Sequence, residues 1–452
     1  MTAVGAGGMS ALRSPGGLFA LAWPMAMRML MLHGIVVVDA WLVAPLGEAS
    51  VAAIGLASAV AALLLGAQNA FANAAQILVA QAWGSASPSA LRSACRTGLV
   101  INLAVCAVGL SVLALATDPL LSLSGQSAEV QAQARLYLLI FIGVVLAEAV
   151  GQSLSAFFNG CGDSRAPFLS YIVSVPINVG LSWALIHGAG GLPQLGLAGA
   201  AVGSVLGSLV RAGYLVWRVW RSTDSWRRAD SLPLRPALRA HLAFSLPIAA
   251  TFFSAQASGS VCMLIYAAYD VYQFAALTLV MPWINVVGTL GMAWAQAAGI
   301  AVAQHLGQGG GRAAMDHFLR MVWRGSAGLS VLVSGFYALL ILEADSLYAA
   351  LAPQTLTALA TFLPVLLILP WPKNSNAICG NTLRAAGRTV YVMHIFLWSQ
   401  WAFKVPLSAV LVLWLDTPVV WVLALNLAEE FVKFIPFHRG MLKGRWRDAL
   451  PD

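Results

Sequence analysis

The stretch AAQILVAQAWG at residues 74–84 recurs as AAGIAVAQHLG at residues 297–307, and seven of the eleven positions are identical. The two copies lie 223 residues apart, and at the same offset Pro24 falls on Pro247. Alanine matches are common in this composition, but a Pro, a Gln and a Gly shared at one offset are not. The chain is therefore a duplication of a unit of about half its length.

The composition of the chain distinguishes between a soluble protein and a membrane protein. Of its 452 residues, 60% are hydrophobic and only 9% are charged, and the mean hydropathy is +0.81. An ordinary soluble domain has about 45–50% apolar and about 25% charged residues. So few charges cannot cover the surface of a soluble globule of this size. A soluble enzyme is excluded, and we expect a polytopic membrane protein whose surroundings are the lipid bilayer.

Twelve runs are long and apolar enough to cross a bilayer, which takes about 20 mostly apolar residues per helix. Six fall in each copy, so the expected fold class is an all-α polytopic membrane protein with 12 transmembrane helices in two pseudo-symmetric six-helix lobes. The runs are residues 17–43, 51–80, 94–116, 134–158, 168–187, 196–220, 242–269, 275–303, 318–342, 356–383, 391–413 and 419–437. The predicted organisation is a tail at 1–16, an N-lobe at 17–220, a linker at 221–240, a C-lobe at 241–437 and a tail at 438–452.

The charges predict the orientation of these runs. A net charge of +8 would suggest a nucleic-acid partner in a soluble protein, but here most Lys and Arg residues lie in short segments between apolar runs. With the N-terminus inside, the inner segments hold 20 of the 25 basic residues, seven of them between Arg211 and Arg239. The outer loops are mostly acidic. The positive-inside rule therefore predicts two cytoplasmic termini, and we expect no nucleic-acid partner.

The duplication also bears on function. Both copies start inside and contain six helices, so they form a parallel repeat, typical of transporters that work by alternating access around a central cleft. A channel or a structural protein can also be duplicated. The sequence has no Walker A, HExxH or GxSxG motif, so we expect coupling to an ion gradient and not to ATP. No CxxC spacing predicts a metal site.

Asp39 is the clearest candidate for coupling, because intramembrane ionisable residues are costly and usually face a cavity or a partner. Burial disfavours its charged form, which suits a group that binds and releases a proton. Arg28 lies eleven residues earlier, so both should project from one helix face, about 16 Å apart. His33 points elsewhere and is interpreted as a packing histidine. The alternative for Asp39 is a carboxylate that reaches the headgroups or caps a neighbouring helix.

Several runs carry polar side chains at helical spacing, which fits the wall of a wetted cavity. Hydrogen bonds between helices would also explain any one of these stripes. Most Trp and Met residues are expected to pack between helices or lie at the membrane interface. Met281, Trp283 and Met292 are candidates for contacting an apolar substrate. The substrate-cavity candidates are Arg28, Asn73, Glu148, Gln152, Met281, Trp283, Asn285, Met292 and Lys373.

Over nearly its whole length the chain resembles a bacterial-type member of the multidrug and toxic compound extrusion (MATE) family. Any one of the motifs is weak, and their order, spacing and duplication together are fairly specific. They are Pro24, VVVDAWLVAPLG at 36–47, VAQAWG at 79–84, VAQHLG at 302–307, FFNGCGDSRAP at 157–167, PINVGLSWALI at 176–186, LGLAGAAVGSV at 195–205 and TLRAAGRT at 382–389.

The resemblance implies a V-shaped pair of lobes that exports amphipathic, often cationic, compounds in exchange for inward Na+ or H+. It also implies a cation-coupling site in the N-lobe, where the family's first-helix Asp matches Asp39 and its fifth-helix Asn matches Asn178. Ser182 stands where some relatives have a second Asp, and Ser204 stands where they have Thr. The missing carboxylate favours H+ over Na+ at Asp39.

The C-lobe departs from the bacterial multidrug branch. The Glu of its seventh helix falls on Ala255 and the Asp of its tenth helix falls on Lys373, so that cation site is not carried over. A deep Lys needs an anion, water or deprotonation. Lys373 therefore suggests a substrate with an anionic or zwitterionic group.

Together these features predict a secondary active exporter of small amphipathic drugs or natural products, and not an enzyme. It would be coupled at Asp39 to H+, with Na+ as the alternative ion, and would act as a monomer without a bound cofactor. A flippase for a lipid-linked sugar, from the superfamily that shares this fold, is the alternative within transport. An integral membrane enzyme acting on lipids is the more distant one, because the seven histidines are scattered and form no catalytic pair in the sequence.

Overall fold

A computed structural model describes residues 14–221, 230, 232–348, 351–444 and 446, and in these ranges it contains helices and turns but no strand. Residues 1–13, 445 and 447–452 of the predicted tails and residues 222–229 and 231 of the predicted linker lie outside the described residues. So do five of the inner basic residues, Arg13, Arg227, Arg228, Arg445 and Arg447.

The first half of the chain folds into six long helices. They are α1 (Pro15–Val43), α2 (Glu48–Gly84), α3 (Pro88–Leu123), α4 (Ala128–Gly160), α5 (Arg165–His187) and α6 (Leu197–Arg221).

The second half follows the same plan with more interruptions. Its elements are α7 (Leu234–Tyr266), α8 (Val271–Gly307), α9 (Arg312–Leu342), α10 in three pieces (Pro353–Thr361, Leu363–Ile368 and Pro370–Ala385), α11 (Thr389–Trp414) and α12 (Val420–Leu442).

The helices account for all twelve predicted runs and confirm the all-α polytopic membrane fold class. Within the described ranges, ten helices are long and apolar enough to cross a membrane, and α10 adds an eleventh if its bent pieces form one span. Helix α12 falls short of that test, because its 23 residues include Glu429, Glu430, Lys433 and Arg439. Glu429 and Glu430 both pair with Lys433.

Helix α10 differs from the unbroken run predicted over 356–383. The piece Pro370–Ala385 is bent by 44° relative to the part of the helix that precedes it, Pro353–Ile368. Pro364 and Pro370 explain the breaks, because proline lacks the backbone N–H of an α-helical hydrogen bond and its ring crowds the preceding turn. Helix α11 is continuous, but Ser399–Lys404 and Val410–Trp414 adopt the wider π-helical geometry, a form that often occurs at functional sites.

The chain divides into two compact units. Over the described residues, the first unit is Met27–Ser245, and the second contains residues 14–26 and 246–446. Each unit has its own apolar core, to which all six of its helices contribute. In the first unit these residues include Val43, Ala57, Tyr137 and Ile186, and in the second they include Tyr266, Leu277, Tyr337, Phe362 and Leu423.

A stripe of glycines in α6 brings α5 unusually close. Gly199, Gly203 and Gly207 recur every fourth residue and so share one helix face. A Cβ added at Gly207 would lie 2.7 Å from the Cβ of Asn178, and one at Gly203 would collide with the hydroxyl of Ser182. Small residues of this kind let membrane helices approach backbone to backbone. The stripe therefore sets the positions of the predicted coupling residues on α5.

Candidate functional site

The first unit contains a cavity of about 370 Å³. Its wall is built from α1, α2, α4, α5 and α6, and every lining residue belongs to this unit. The lining residues follow helical spacing on each element. On α4 they are Tyr137, Phe141, Val144, Glu148 and Gln152, on α5 Tyr171, Ser174, Val175 and Asn178, and on α6 Ser204, Gly207, Ser208 and Arg211.

One group of these residues, which we call the Asp39 layer, consists of Asp39, Tyr137, Asn178 and Ser204. Asn178 donates a hydrogen bond from Nδ2 to the hydroxyl oxygen of Ser204, at 3.2 Å. Tyr137 lies within electrostatic range of the Asp39 carboxylate. Three of the four predicted coupling residues therefore line one cavity.

The Asp39 layer has unused acceptors. The buried oxygens Asp39 Oδ1 and Asn178 Oδ1 find no hydrogen-bond donor among the described residues. Leaving a buried acceptor unpaired is costly, and an orphan of this kind calls for a functional explanation. Two unsatisfied oxygens on one cavity wall suit the binding of a proton or another small cation.

Ser182, the fourth predicted coupling residue, is fully buried and is not part of the cavity wall. Its hydroxyl lies against the α6 glycine stripe and donates to the backbone carbonyl of Ala200, at 3.4 Å. Its part in coupling stays a prediction.

A second polar group, which we call the deep layer, consists of Arg28, Glu148, Tyr171 and Arg211. Arg211 forms an ion pair with Glu148 and donates from Nη1 to the Tyr171 hydroxyl, at 2.9 Å. Gln152 donates from Nε2 to the same carboxylate, at 3.0 Å. Arg28 does not line the cavity, unlike the other three members, but it is only 4% exposed and interacts electrostatically with all three of them.

The position of Arg211 corrects the charge count made from the sequence, which places it with the inner basic residues. Arg211 lies well inside α6, ten residues before the helix ends, and is only 1% exposed. Gly151 on α4 makes room for it, since a Cβ there would collide with the guanidinium. The remaining inner basic residues still support the predicted orientation.

The other predicted cavity residues lie elsewhere. Asn73 on α2 is half-buried and does not line the cavity, although Asn69, one turn earlier, does. Trp283 of the second unit donates from Nε1 to the Tyr348 hydroxyl at 2.9 Å, and its ring lies 5.7 Å from that of Phe336 at an angle of 46°. The remaining candidates of that unit range from half-buried to exposed, and nothing assigns them a substrate contact. They are Met281, Asn285, Met292 and Lys373.

Lys373 borders a small recess of the second unit with Gly288, Tyr337 and Asn374. It interacts electrostatically with a buried charge network on the neighbouring helices α11 and α12. In that network Lys433 lies 2.6 Å from Glu430 and 3.2 Å from Glu429, and Lys404 of the π-helical segment lies 3.4 Å from Glu429. These pairs explain how α12 tolerates its charges, since buried charges occur when they are paired.

Sequence reasoning missed several residues of the cavity wall, among them His33, Tyr171 and Tyr137. His33 is interpreted above as a packing histidine, but its exposed side chain lines the cavity. Tyr171 carries no sequence signal of its own. Tyr137 lies eleven residues before Glu148 on α4, which is close to three turns. Extending the polar stripe of that run by three turns would have found it.

Both halves of the chain match a known protein family. The family model described as MatE matches the chain twice, at residues 24–184 and 247–410, with the same offset of 223 residues as the internal duplication. The chain belongs to the MatE family. Family membership confirms the predicted multidrug and toxic compound extrusion resemblance and places this multi-pass membrane protein with transporters rather than enzymes.

Curated relatives are moderately similar. The probable multidrug resistance protein NorM of Rhizobium meliloti (strain 1021) is 28% identical over 282 residues, which are 60% of this chain and 59% of that protein. The probable multidrug resistance protein NorM of Aromatoleum aromaticum is 30% identical over 234 residues, which are 48% of this chain and 50% of that protein. The match thus spans about half of that relative's length. The probable multidrug resistance protein YoeA of Bacillus subtilis (strain 168) is 24% identical over 423 residues, 89% of each chain.

Solved structures share the fold. A crystal structure of MATE in the straight conformation superposes with a TM-score of 0.84 at 17% identity, covering 96% of this chain and 98% of that one. The eukaryotic MATE transporter AtDTX14 superposes with a TM-score of 0.82 at 19% identity, covering 97% of each.

Proposed function

We propose that this protein exports small amphipathic compounds by alternating access, in exchange for protons that move inward through Asp39. The observation that carries the proposal is the Asp39 carboxylate, which lines the cavity and has a buried oxygen without a donor among the described residues. The curated relatives named as probable multidrug resistance proteins support the substrate class.

The chemistry of the cavity wall favours H+ over Na+. Two carboxylates line the cavity, Asp39 and Glu148, and Glu148 already forms an ion pair with Arg211. Asp39 is then the carboxylate left to neutralise an incoming cation, with the amide oxygen of Asn178 and the hydroxyl of Ser204 beside it. A single carboxylate is sufficient for a proton, whereas a metal ion needs several oxygen ligands at once.

One proton per cycle supplies enough energy for export. A charge moving through 100 mV releases about 2.3 kcal/mol, and a tenfold concentration gradient of a neutral compound costs about 1.4 kcal/mol. A membrane potential of about 150 mV therefore sustains a gradient of about 300-fold per proton.

We further propose that the protein works as a monomer in a bacterial inner membrane, with both termini in the cytoplasm. The support for this orientation is the distribution of basic residues between the helices, because positively charged segments are retained on the cytoplasmic side.

The proposal is tested by transport in proteoliposomes that contain the purified full chain. An imposed pH gradient should drive movement of a fluorescent amphipathic cation against its gradient, whereas an Na+ gradient of equal size at constant pH should leave transport at the level of empty liposomes. Transport driven by Na+ alone would refute H+ coupling but keep export. Absence of transport under either gradient, across a panel of dyes and siderophores, would refute export itself.

Lys373 provides a separate prediction about substrates. Lys373→Met should reduce transport of anionic substrates more than transport of lipophilic cations, because the change removes a positive charge from the recess beside Gly288 and Asn374. The measurement is the ratio of initial rates for one anionic and one cationic dye in the same proteoliposomes. Equal losses for both dyes would indicate that Lys373 only balances Glu429 and Glu430.

A further inference from the structure

The two polar layers of the first-unit cavity lie at different depths. On α5, Tyr171 precedes Asn178 by seven residues, and on α6 Ser204 precedes Arg211 by the same number. At 1.5 Å per residue the layers are about 10 Å apart along these helices. The cavity of about 370 Å³ reaches the Asp39 layer and three members of the deep layer, Glu148, Tyr171 and Arg211, while Arg28 lies behind its wall. The cavity volume falls in the range of small-molecule sites.

The layers carry opposite charge. The Asp39 layer holds one carboxylate. The deep layer holds two guanidinium groups, which stay protonated in proteins, and one carboxylate, so it carries a net positive charge when Glu148 is ionised. Besides Asp39, Glu148 and Arg211, the titratable side chains on the cavity wall are His33, Tyr137 and Tyr171.

Arg28 is the source of the excess. The Oε2 oxygen of Glu148 already accepts from both Arg211 and Gln152. Across the part of the chain that the structure describes, Arg28 forms no ion pair, and its buried Nε has no acceptor. Arg211 likewise has an unused buried Nε. Removing a charge from water costs several kcal/mol unless a partner compensates it, so the deep layer lacks an anion.

We propose that the deep layer binds an oxyanion group of the transported compound, a carboxylate or a group of like chemistry, with Arg28 as its counter-charge. This inference rests on the export proposed above and defines its substrate class. A compound that bears an amine as well would place the amine towards Asp39 and the acid towards Arg28, so the cavity suits zwitterions. The hydroxyl of Tyr171 and the amide of Gln152, both on the cavity wall, supply further polar contacts.

The alternative is that Arg28 only supports the packing of α1 and is balanced by water. That role predicts equal effects of an Arg28 substitution on all ligands. An oxyanion site predicts an effect confined to ligands that carry the acid.

The experiment compares binding of rhodamine 110, which has a free carboxylate, with binding of rhodamine 123, its methyl ester. Fluorescence polarisation with the full chain in detergent measures both affinities without any ion gradient. We expect Arg28→Met to weaken rhodamine 110 binding by about tenfold or more, because it removes the positive charge that Glu148 leaves uncompensated in the deep layer, and to change rhodamine 123 binding by less than about twofold.

Two further variants keep the test decisive. Arg28→Lys retains the positive charge, so its loss for rhodamine 110 should be smaller than that of Arg28→Met. Arg135→Met removes the same charge at a side chain that is 66% exposed and pairs with Asp118, and it should leave both affinities unchanged.

The proposal is overturned if wild-type protein binds the ester but not the acid, if both dyes lose affinity equally in the Arg28 variants, or if rhodamine 110 binding persists in Arg28→Met. Because binding is measured without a gradient, a failure of H+-driven transport would leave this result standing. A failure here would in turn leave the export proposal standing for cationic compounds.

Discussion

Asp39→Asn is expected to abolish H+-driven export while the protein still folds and inserts. Asparagine has nearly the shape of aspartate, but its amide does not gain or lose a proton in the pH range of such an assay. The side chain lines a cavity with Tyr137, Asn178 and Ser204 and has no ion-pair partner among the described residues. Efflux under a pH gradient in proteoliposomes should fall to the level of empty liposomes, a loss of about tenfold or more.

A matched control separates coupling from a general loss of acidity. Asp118→Asn makes the same change in a carboxylate that is 66% exposed and pairs with Arg135 at 3.1 Å. Surface ion pairs contribute about 0–1 kcal/mol, so this variant should transport within about twofold of wild type. Undiminished pH-driven efflux in Asp39→Asn, with normal expression and thermal stability, would end the proposed role of Asp39.

Arg211→Met is expected to destabilise the first unit strongly. The guanidinium is 1% exposed, pairs with Glu148 and donates to Tyr171. Its removal leaves the Glu148 carboxylate buried, with the hydrogen bond from Gln152 but without its ion-pair partner. Breaking one side of a buried ion pair costs about 3–5 kcal/mol. Thermal unfolding in detergent should show a fall in Tm on the order of 10 °C.

Two companion variants test that reason. Glu148→Gln combined with Arg211→Met removes both members of the ion pair, so its loss of stability should be smaller than the sum of the losses of the two single variants. Arg218→Met breaks another Arg–carboxylate pair of α6, with Asp163 at 3.2 Å, but the Arg218 side chain is 39% exposed. It should lower the free energy of unfolding by at most about 1 kcal/mol. Equal losses for Arg211→Met and Arg218→Met would show that the buried pair has no special role.

The Asp39 site shows how far sequence reasoning reaches. Asp39 is conspicuous because an acid in a run of apolar residues has few explanations, and Asn178 and Ser204 follow from the family resemblance. Ser182 came from the same alignment of motifs, yet it lies against the glycine stripe of α6 and outside the cavity wall. A motif specifies which residue occupies a position but not whether a neighbouring backbone covers it.

Arg211 shows the opposite limit. A basic residue near the inner end of an apolar run looks the same in sequence whether it serves as a loop charge or as a buried ion-pair partner. The distinction depends on Glu148, 63 residues away, and on the space above Gly151. Neither is visible from the local pattern.

The sequence by itself determined the membrane-spanning α-helical class, the duplication and the family, because hydropathy, length and repeated motifs are properties of short segments. Tertiary structure alone decided which polar side chains share a cavity, which are paired and which buried atoms are left without partners. These depend on how helices distant in the chain pack side by side, and small residues such as Gly203 and Gly207 set that packing only against the helix they meet.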